Sequence, residues 1–260
     1  RLPASGLRLF PRLADTPAPG DYVLGNVRHS SGILALDEML DEGYWPGAAT
    51  LIAGPSGSGK SLMGLHFIMN GARQGQPGVI ASLQENSTQL DRVLGGFGWS
   101  LSEPNVALLY HSPVDIYIDE WVHELLEMVE RTGARRVLID SLADLRLSAG
   151  DELRFREFIY SLVQRFSRQG VSVMMTFETP ELFGATRLSE SAVSPLSDNV
   201  VLIGYRRDRD TIGRTIAVIK TRASRHDPAV RQFSIGPAGL VLDEPLPGRP
   251  DGGLTAAAAR

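Results

Sequence analysis

Gly54-Pro55-Ser56-Gly57-Ser58-Gly59-Lys60-Ser61 follows directly on the apolar run Thr50-Leu51-Ile52-Ala53. The octet meets the pattern G-x-x-x-x-G-K-[ST] at Gly54, Gly59, Lys60 and Ser61. Such a loop needs a strand before it to aim it and a helix after it to present a positive dipole end to an anion. Both are legible here. Residues 50–53 read as a short buried strand, and the segment from Lys60 to about Asn70 reads as an amphipathic helix. Glycines let backbone N–H groups turn inward toward phosphate oxygens. The expected cradle comprises Gly54, Ser56, Gly57, Ser58, Gly59, Lys60, Ser61 and Leu62. Lys60 is placed to reach the β- and γ-phosphates, and the Ser61 hydroxyl to ligate Mg²⁺. ATP with Mg²⁺ is the expected ligand, and its hydrolysis the expected reaction.

Outward from the loop, apolar runs alternate with helical stripes. Runs at 79–83, 106–110, 137–139 and 171–177 read as strands. Trp121, Leu125, Met128 and Val129 share one helical face, and Phe155, Phe158, Ile159, Leu162, Val163 and Phe166 share another. Continuous apolar strands alternating with helices imply a parallel sheet covered on both faces. Beyond residue 199 the texture changes. The run 200–203, a charged turn at 206–210 and the run 215–219 read as a hairpin, with two further strands near 232–235 and 240–242. The fold class is α/β: a mainly parallel twisted sheet flanked by helices, with an antiparallel C-terminal extension. Residues 29–244 form the expected domain. Residues 1–28, rich in proline, read as a linker or arm with an extended piece at 7–10, and 245–260 as a loose tail.

Two acidic strand ends suit the chemistry. Asp140 ends the run Val137-Leu138-Ile139, where a carboxylate holds Mg²⁺ in enzymes with such a loop. Glu85 follows the run 79–83, and a strand lying next to the loop strand would set it beside the γ-phosphate as the group that activates water. Glu178 is a weaker candidate for sensing the γ-phosphate. Lys220, Arg222, Ser224, Arg225 and His226 form a polar cluster after the last hairpin strand. By composition it reads as a solvated basic turn; the alternative is a set of cations offered to a neighbouring subunit.

Bulk properties narrow the classes. The 260 residues can bury a substantial core. The chain has no cysteine, which excludes disulfides, thiolate metal sites and cysteine nucleophiles and fits a reducing cytoplasm. A net charge of −4 argues against tight binding to duplex nucleic acid. No apolar run approaches the roughly 20 residues that span a bilayer. The first residue is not methionine, which fits a processed or excised piece.

These residues resemble the KaiC-like branch of the RecA superfamily. The resemblance runs from about residue 28 to 242. It is carried by Ser30-Ser31-Gly32-Ile33 with Leu36-Asp37-Glu38-Met39, the phosphate loop, Ser82-Leu83-Gln84-Glu85, Phe97-Gly98-Trp99, Ile139-Asp140-Ser141-Leu142, Ser197-Asp198-Asn199 and the stretch from Lys220 to Asp227. It implies a RecA-like core and a homo-oligomer, a hexameric ring with nucleotide between subunits. It also implies that Lys220 and Arg222 reach the adjacent protomer's γ-phosphate, with Thr221, Ser224 and His226 toward the base and ribose. The family's clock protein carries two such domains, and this chain looks more like the second, with Gly6 to Pro11 resembling the end of a preceding domain. That likeness implies a signalling timer or switch with an unidentified protein partner, and serine/threonine autokinase activity in which Ser194 is the acceptor.

The chain departs from the pattern at two places. Gln84 stands where the family carries a first glutamate, and an amide cannot act as a base. Pro195 stands where a threonine acceptor is expected. Both favour simple hydrolysis over autophosphorylation; Ser189 and Ser191 are weaker acceptors. Alternative readings are a DNA-coupled ATPase, a module in which ATP only cements an oligomer, and a small-molecule kinase. The segment Glu181 to Ser197 holds one basic residue, Arg187, which disfavours a DNA-gripping loop, and no arginine-rich lid segment supports the kinase.

Overall fold

The computed structural model describes residues 9–16, 20–22, 25–114, 116–180, 194–208 and 211–245. The expected tail from 246 onward lies outside them, as do Arg187, Ser189 and Ser191.

The strands are β1 (Ala49–Gly54), β2 (Gly78–Ser82), β3 (Val106–Tyr110), β4 (Arg136–Asp140), β5 (Ser172–Glu178), β6 (Asn199–Asp208), β7 (Thr211–Lys220), β8 (Arg231–Gly236) and β9 (Gly239–Pro245). They form one sheet in the order β3-β2-β4-β5-β1-β6-β7-β8-β9. Pairing is parallel from β3 across to β6 and antiparallel from β6 to β9, as the change of texture in the sequence predicts. The strand that leads into Glu85 is not the neighbour of the loop strand expected from the sequence. β2 does not adjoin β1, because β5 and β4 lie between them.

Period-2 alternation sends each parallel strand's side chains to two separate cores. Leu51, Ala81, Val137, Ile139 and Met175 face one side, under α4 (Ile118–Thr132), α5 (Leu142–Ala149) and α6 (Glu152–Gln169). Ile52, Ile80, Leu138 and Met174 face the other, under α1 (Leu34–Met39), α2 (Lys60–Arg73) and α3 (Ser87–Gly95). With both faces covered, β1 and β2 are buried along their whole length, which is why they read as unbroken apolar runs. Leu13, from a short 3-10 helix at Leu13–Asp15, also reaches the first core.

α2 must lie close to the sheet, since it carries the phosphate loop. Gly64 allows this: a Cβ there would meet Leu138 Cδ1 at 2.3 Å. At the far end of α2, the fully buried Arg136 donates to Phe67 O and Ser30 O, both at 2.7 Å, and to Gln76 Oε1 at 2.9 and 2.7 Å. A buried guanidinium is tolerated when its donors are taken up in this way.

The sequence reading stops short at two places. α3 is not in it, although Asn86 and Gln89 form a reciprocal capping box at its start. The hairpin is also longer than its apolar runs suggest. Arg206–Asp208 continue β6 instead of turning, because an antiparallel ladder with a solvated face accepts charged side chains.

Candidate functional site

Parallel α/β sheets place ligands outside the carboxyl ends of their strands. Here that edge gathers the phosphate loop after β1, Glu178 at the end of β5, Asp140 at the end of β4 and Glu85 beyond β2. The register sets Gly54 opposite Glu178 and Ser82 opposite Asp140, so the carboxylates form a row leading away from the loop.

The loop is built for close backbone approach. Gly54 cannot gain a Cβ, which would stand 2.3 Å from Ile203 O. Gly57 (φ +70°) and Gly59 (φ +108°) adopt the left-handed region that turns consecutive N–H groups to one side. Pro55 O is a focus within the loop, accepting from Ser58 Oγ at 2.7 Å and from Lys60 Nζ at 2.8 Å. Burial lowers the Lys60 pKa, and the nearby Glu178 and Asp140 carboxylates oppose that shift. The buried lysine thus lies within the field of the acidic row while its ammonium donates to Pro55 O.

Asp140 is fixed by a short hydrogen bond that it accepts on Oδ1 from Thr176 Oγ1. Beside it, Asp144 accepts from Ser141 Oγ at 2.7 Å and from Gln84 Nε2 at 3.0 Å on a single oxygen. Glu85 is held by its backbone: its N–H donates to Ser82 Oγ at 3.1 Å, and Ser82 Oγ donates to Glu85 O at 2.8 Å. Burial raises the Glu85 pKa, and the Asp140 charge raises it further. Glu85 therefore reaches the row through the β2–α3 turn beside β4, not through a strand adjacent to β1.

Ser61, in the first turn of α2, and Asp140 supply oxygen donors suited to Mg²⁺, which takes few protein ligands and keeps its waters and phosphate oxygens. Among the described residues no group of three or more His, Asp or Glu forms a metal site from protein alone. The set fits Mg²⁺ carried in with a polyphosphate.

The second cluster lies elsewhere. Val200 pairs with both Leu51 of β1 and Lys220 of β7, so Lys220 is level with a residue three positions before Gly54. Three residue rises and two strand spacings separate Lys220 from Gly54, about 14 Å between Cα atoms. Its side chain points further away, donating to Ser197 O at 2.6 Å. Arg222 Nη2 donates to Pro195 O at 2.9 Å. Thr221 Oγ1 donates to Ser224 O at 2.9 Å and bonds His226 Nδ1 at 3.1 Å. The fold thus brings Glu85, Asp140 and the loop together and leaves Lys220, Thr221, Arg222, Ser224 and His226 at the opposite end of the strands. Ser194 opens a 3-10 turn, Ser194–Leu196, at that same far end.

A family model described as "ATPase: KaiC" matches residues 29–246. The chain belongs to the KaiC ATPase family. It is 27% identical to the circadian clock oscillator protein KaiC of Rippkaea orientalis, over 84% of this chain and 43% of that protein. It is 28% identical to the circadian clock protein KaiC3 of a Synechocystis species, over 85% of this chain and 44% of that protein. The chain thus spans under half the length of these curated relatives. A crystal structure of a KaiC-like protein from Pyrococcus horikoshii OT3 superposes with a TM-score of 0.73 at 27% identity, covering 87% of this chain and all of that one. The chain therefore has the KaiC-like RecA fold and is an ATP-binding ATPase by family.

Within this KaiC-family site, three residues escaped the sequence reading. Thr176, which holds Asp140, was visible only as a polar residue inside an apolar run. Asp144 lies in the first turn of α5, just after the strand that ends at Asp140, and has no separate signal. Tyr205 donates to Ser56 O at 3.1 Å and so borders the phosphate loop. Its place depends on the length of the β6–β7 hairpin, which the apolar runs do not set.

Proposed function

We propose that this chain is a Mg²⁺-dependent ATPase whose site is completed by a neighbouring copy, in a hexameric ring that serves as a signalling timer or switch. One observation carries the reading. The Lys220–Arg222 cations follow β7 toward the end of the sheet away from their own phosphate loop, with the Lys220 Cα about 14 Å from Gly54 through the ladder, and this separation supports a role at another chain's loop.

Bound Mg²⁺ would supply charge neutralisation across the phosphates. The chain's own residues divide the remaining work. The N–H groups from Ser56 to Leu62 cradle the phosphates, and Lys60 bridges the β and γ groups. Ser61 and Asp140 would hold the metal. Glu85 orients the attacking water and takes its proton. Lys220 and Arg222 of the next protomer meet charge developing on the leaving phosphate, with Thr221, Ser224 and His226 bordering ribose and base. Cations lent in trans make hydrolysis conditional on assembly. Gln84, tied to Asp144, offers no base for phosphate transfer to a side chain, and Pro195 removes one acceptor. Hydrolysis is therefore the main activity, with Ser194 the residual acceptor for autophosphorylation.

The test is phosphate release under Mg²⁺-ATP, with native mass measured with and without ATP. Wild-type protein should assemble and turn over slowly, Lys60→Ala should lose nucleotide binding, and Arg222→Ala should bind ATP but lose about 10³-fold or more in turnover. A monomer that hydrolyses ATP at the wild-type rate with Arg222→Ala would refute the reading. Stimulation by DNA at moderate salt would favour the DNA-coupled alternative.

A further inference from the structure

The turn that carries Lys220 and Arg222 is tied to the start of β1 through Asp198. Asp198 N donates to Ala49 O at 2.7 Å, and Asp198 Oδ2 accepts from Ala49 N at 2.9 Å. This closed pair ties Asp198 to the first residue of β1. Asp198 O accepts from Arg222 N at 2.9 Å, and Asp198 Oδ1 lies 3.7 Å from Arg222 Nη1. The adjacent carbonyls of Pro195 and Ser197 take the Arg222 and Lys220 side chains. Burial and the Arg222 charge lower the Lys220 pKa, while the Asp198 charge counters them.

We propose that Asp198 is a positioning residue for hydrolysis in trans: it sets the reach and charge of Lys220 and Arg222 toward the neighbouring protomer's nucleotide. This rests on the reading of those two cations as acting between subunits. Two like charges two residues apart repel, and long flexible side chains lose entropy when aligned. A carboxylate beside both, anchored to a fully buried strand, offsets the first cost and limits the second. β1 also carries the protomer's own phosphate loop at its other end. Asp198 thus joins the strand that presents one nucleotide to the cations that serve the next.

The variant is Asp198→Asn. Its side-chain oxygen can still accept from Ala49 N, so the strap to β1 survives and only the charge toward the cations is lost. Loss of this part-exposed ion pair predicts a fall of about two- to fivefold in kcat with KM for ATP unchanged. A general structural defect would instead lower the unfolding midpoint and move both constants. If Asp198→Asn does not fold, Asp198→Ser, whose hydroxyl can still accept from Ala49 N, takes its place.

The deciding measurement mixes the variant with excess Lys60→Ala protein, which brings intact cations but no working loop. Turnover per Asp198→Asn protomer should rise by the same factor, to the wild-type level. Arg222→Ala is run in parallel and should be rescued in the same way. If Arg222→Ala is rescued while Asp198→Asn is unimpaired, or impaired and not rescued, Asp198 has no role in trans and the inference is overturned alone. If Arg222→Ala is not rescued, the inter-subunit reading fails and the Asp198 role falls with it.

Discussion

Replacing Glu85 with glutamine tests the chemistry most directly. The change is nearly isosteric, and what fixes residue 85 is its backbone pairing with Ser82 Oγ, which an amide side chain leaves intact. The Asn86–Gln89 cap that starts α3 is likewise untouched. Only proton acceptance is removed. General-base catalysis is worth about 10²–10⁴-fold, or roughly 3–5 kcal/mol of transition-state stabilisation at about 1.4 kcal/mol per decade. Phosphate release should therefore fall by that factor. Binding of ATP should persist or tighten, because the Asp140 charge that raises the Glu85 pKa no longer faces a second carboxylate. The pH profile gives an independent check. Glu85 must be ionised to accept a proton, and its pKa lies above the ordinary 4.5, so wild-type activity should fall on acidification at a pH above that value. The residual activity of Glu85→Gln should lack that limb. Steady-state phosphate release from pH 5 to 8, with equilibrium binding of a fluorescent nucleotide, reads both effects. A variant that keeps kcat within about twofold of wild type would remove Glu85 from the mechanism.

Two further outcomes are expected. Thr176→Val removes the hydroxyl that orients Asp140, and loss of such a supporting bond typically costs 10–100-fold in metal affinity; half-maximal activity should need at least about tenfold more Mg²⁺, and an unchanged Mg²⁺ titration would refute that role. His29 and His66 are buried, and burial lowers both pKa values to about 4, with Arg136 and Arg135 adding to the effect at His29. Their neutral forms are favoured by folding, so the stability they support is complete above pH 6.5 and is lost as the pH falls toward 4, by about 3 kcal/mol each. Urea unfolding at pH 7 and pH 4.5 should show the loss. His66→Gln can still accept the 3.0 Å bond from Leu240 N and should flatten the slope; equal slopes would refute the assignment.

What the sequence disclosed and what it hid divide along physical lines. The loop was legible because its strand, glycines, lysine and helix are contiguous, and each has a local signature. Asp140 was legible because an apolar run ends on it. Strand order was not legible. Continuous apolar strands announce a parallel sheet but not which strand adjoins which, so Glu85 was expected beside the γ-phosphate through a neighbouring strand. It joins the row of carboxylates instead through a turn beside β4. Thr176 and Tyr205 were hidden for a related reason, since each gains its role from a residue far away in sequence.

The same limit explains why the Lys220–His226 segment could be read in two ways from composition. A basic turn becomes a set of catalytic cations only through its position, and that position follows from strand direction. β6 runs parallel to β1 and β7 runs back, so the end of β7 must return to the end of the sheet where β1 begins. The phosphate loop stands where β1 ends. Antiparallel return after a parallel strand therefore separates the two halves of the proposed site within every protomer, whatever their side chains. Closing that gap inside one chain would require the ladder itself to change. In the proposed ring a second chain would close it, bringing its own Lys220–Arg222 segment to the first chain's loop. That arrangement makes the ladder between Leu51, Val200 and Lys220, rather than any single catalytic group, the reason hydrolysis should depend on a neighbour.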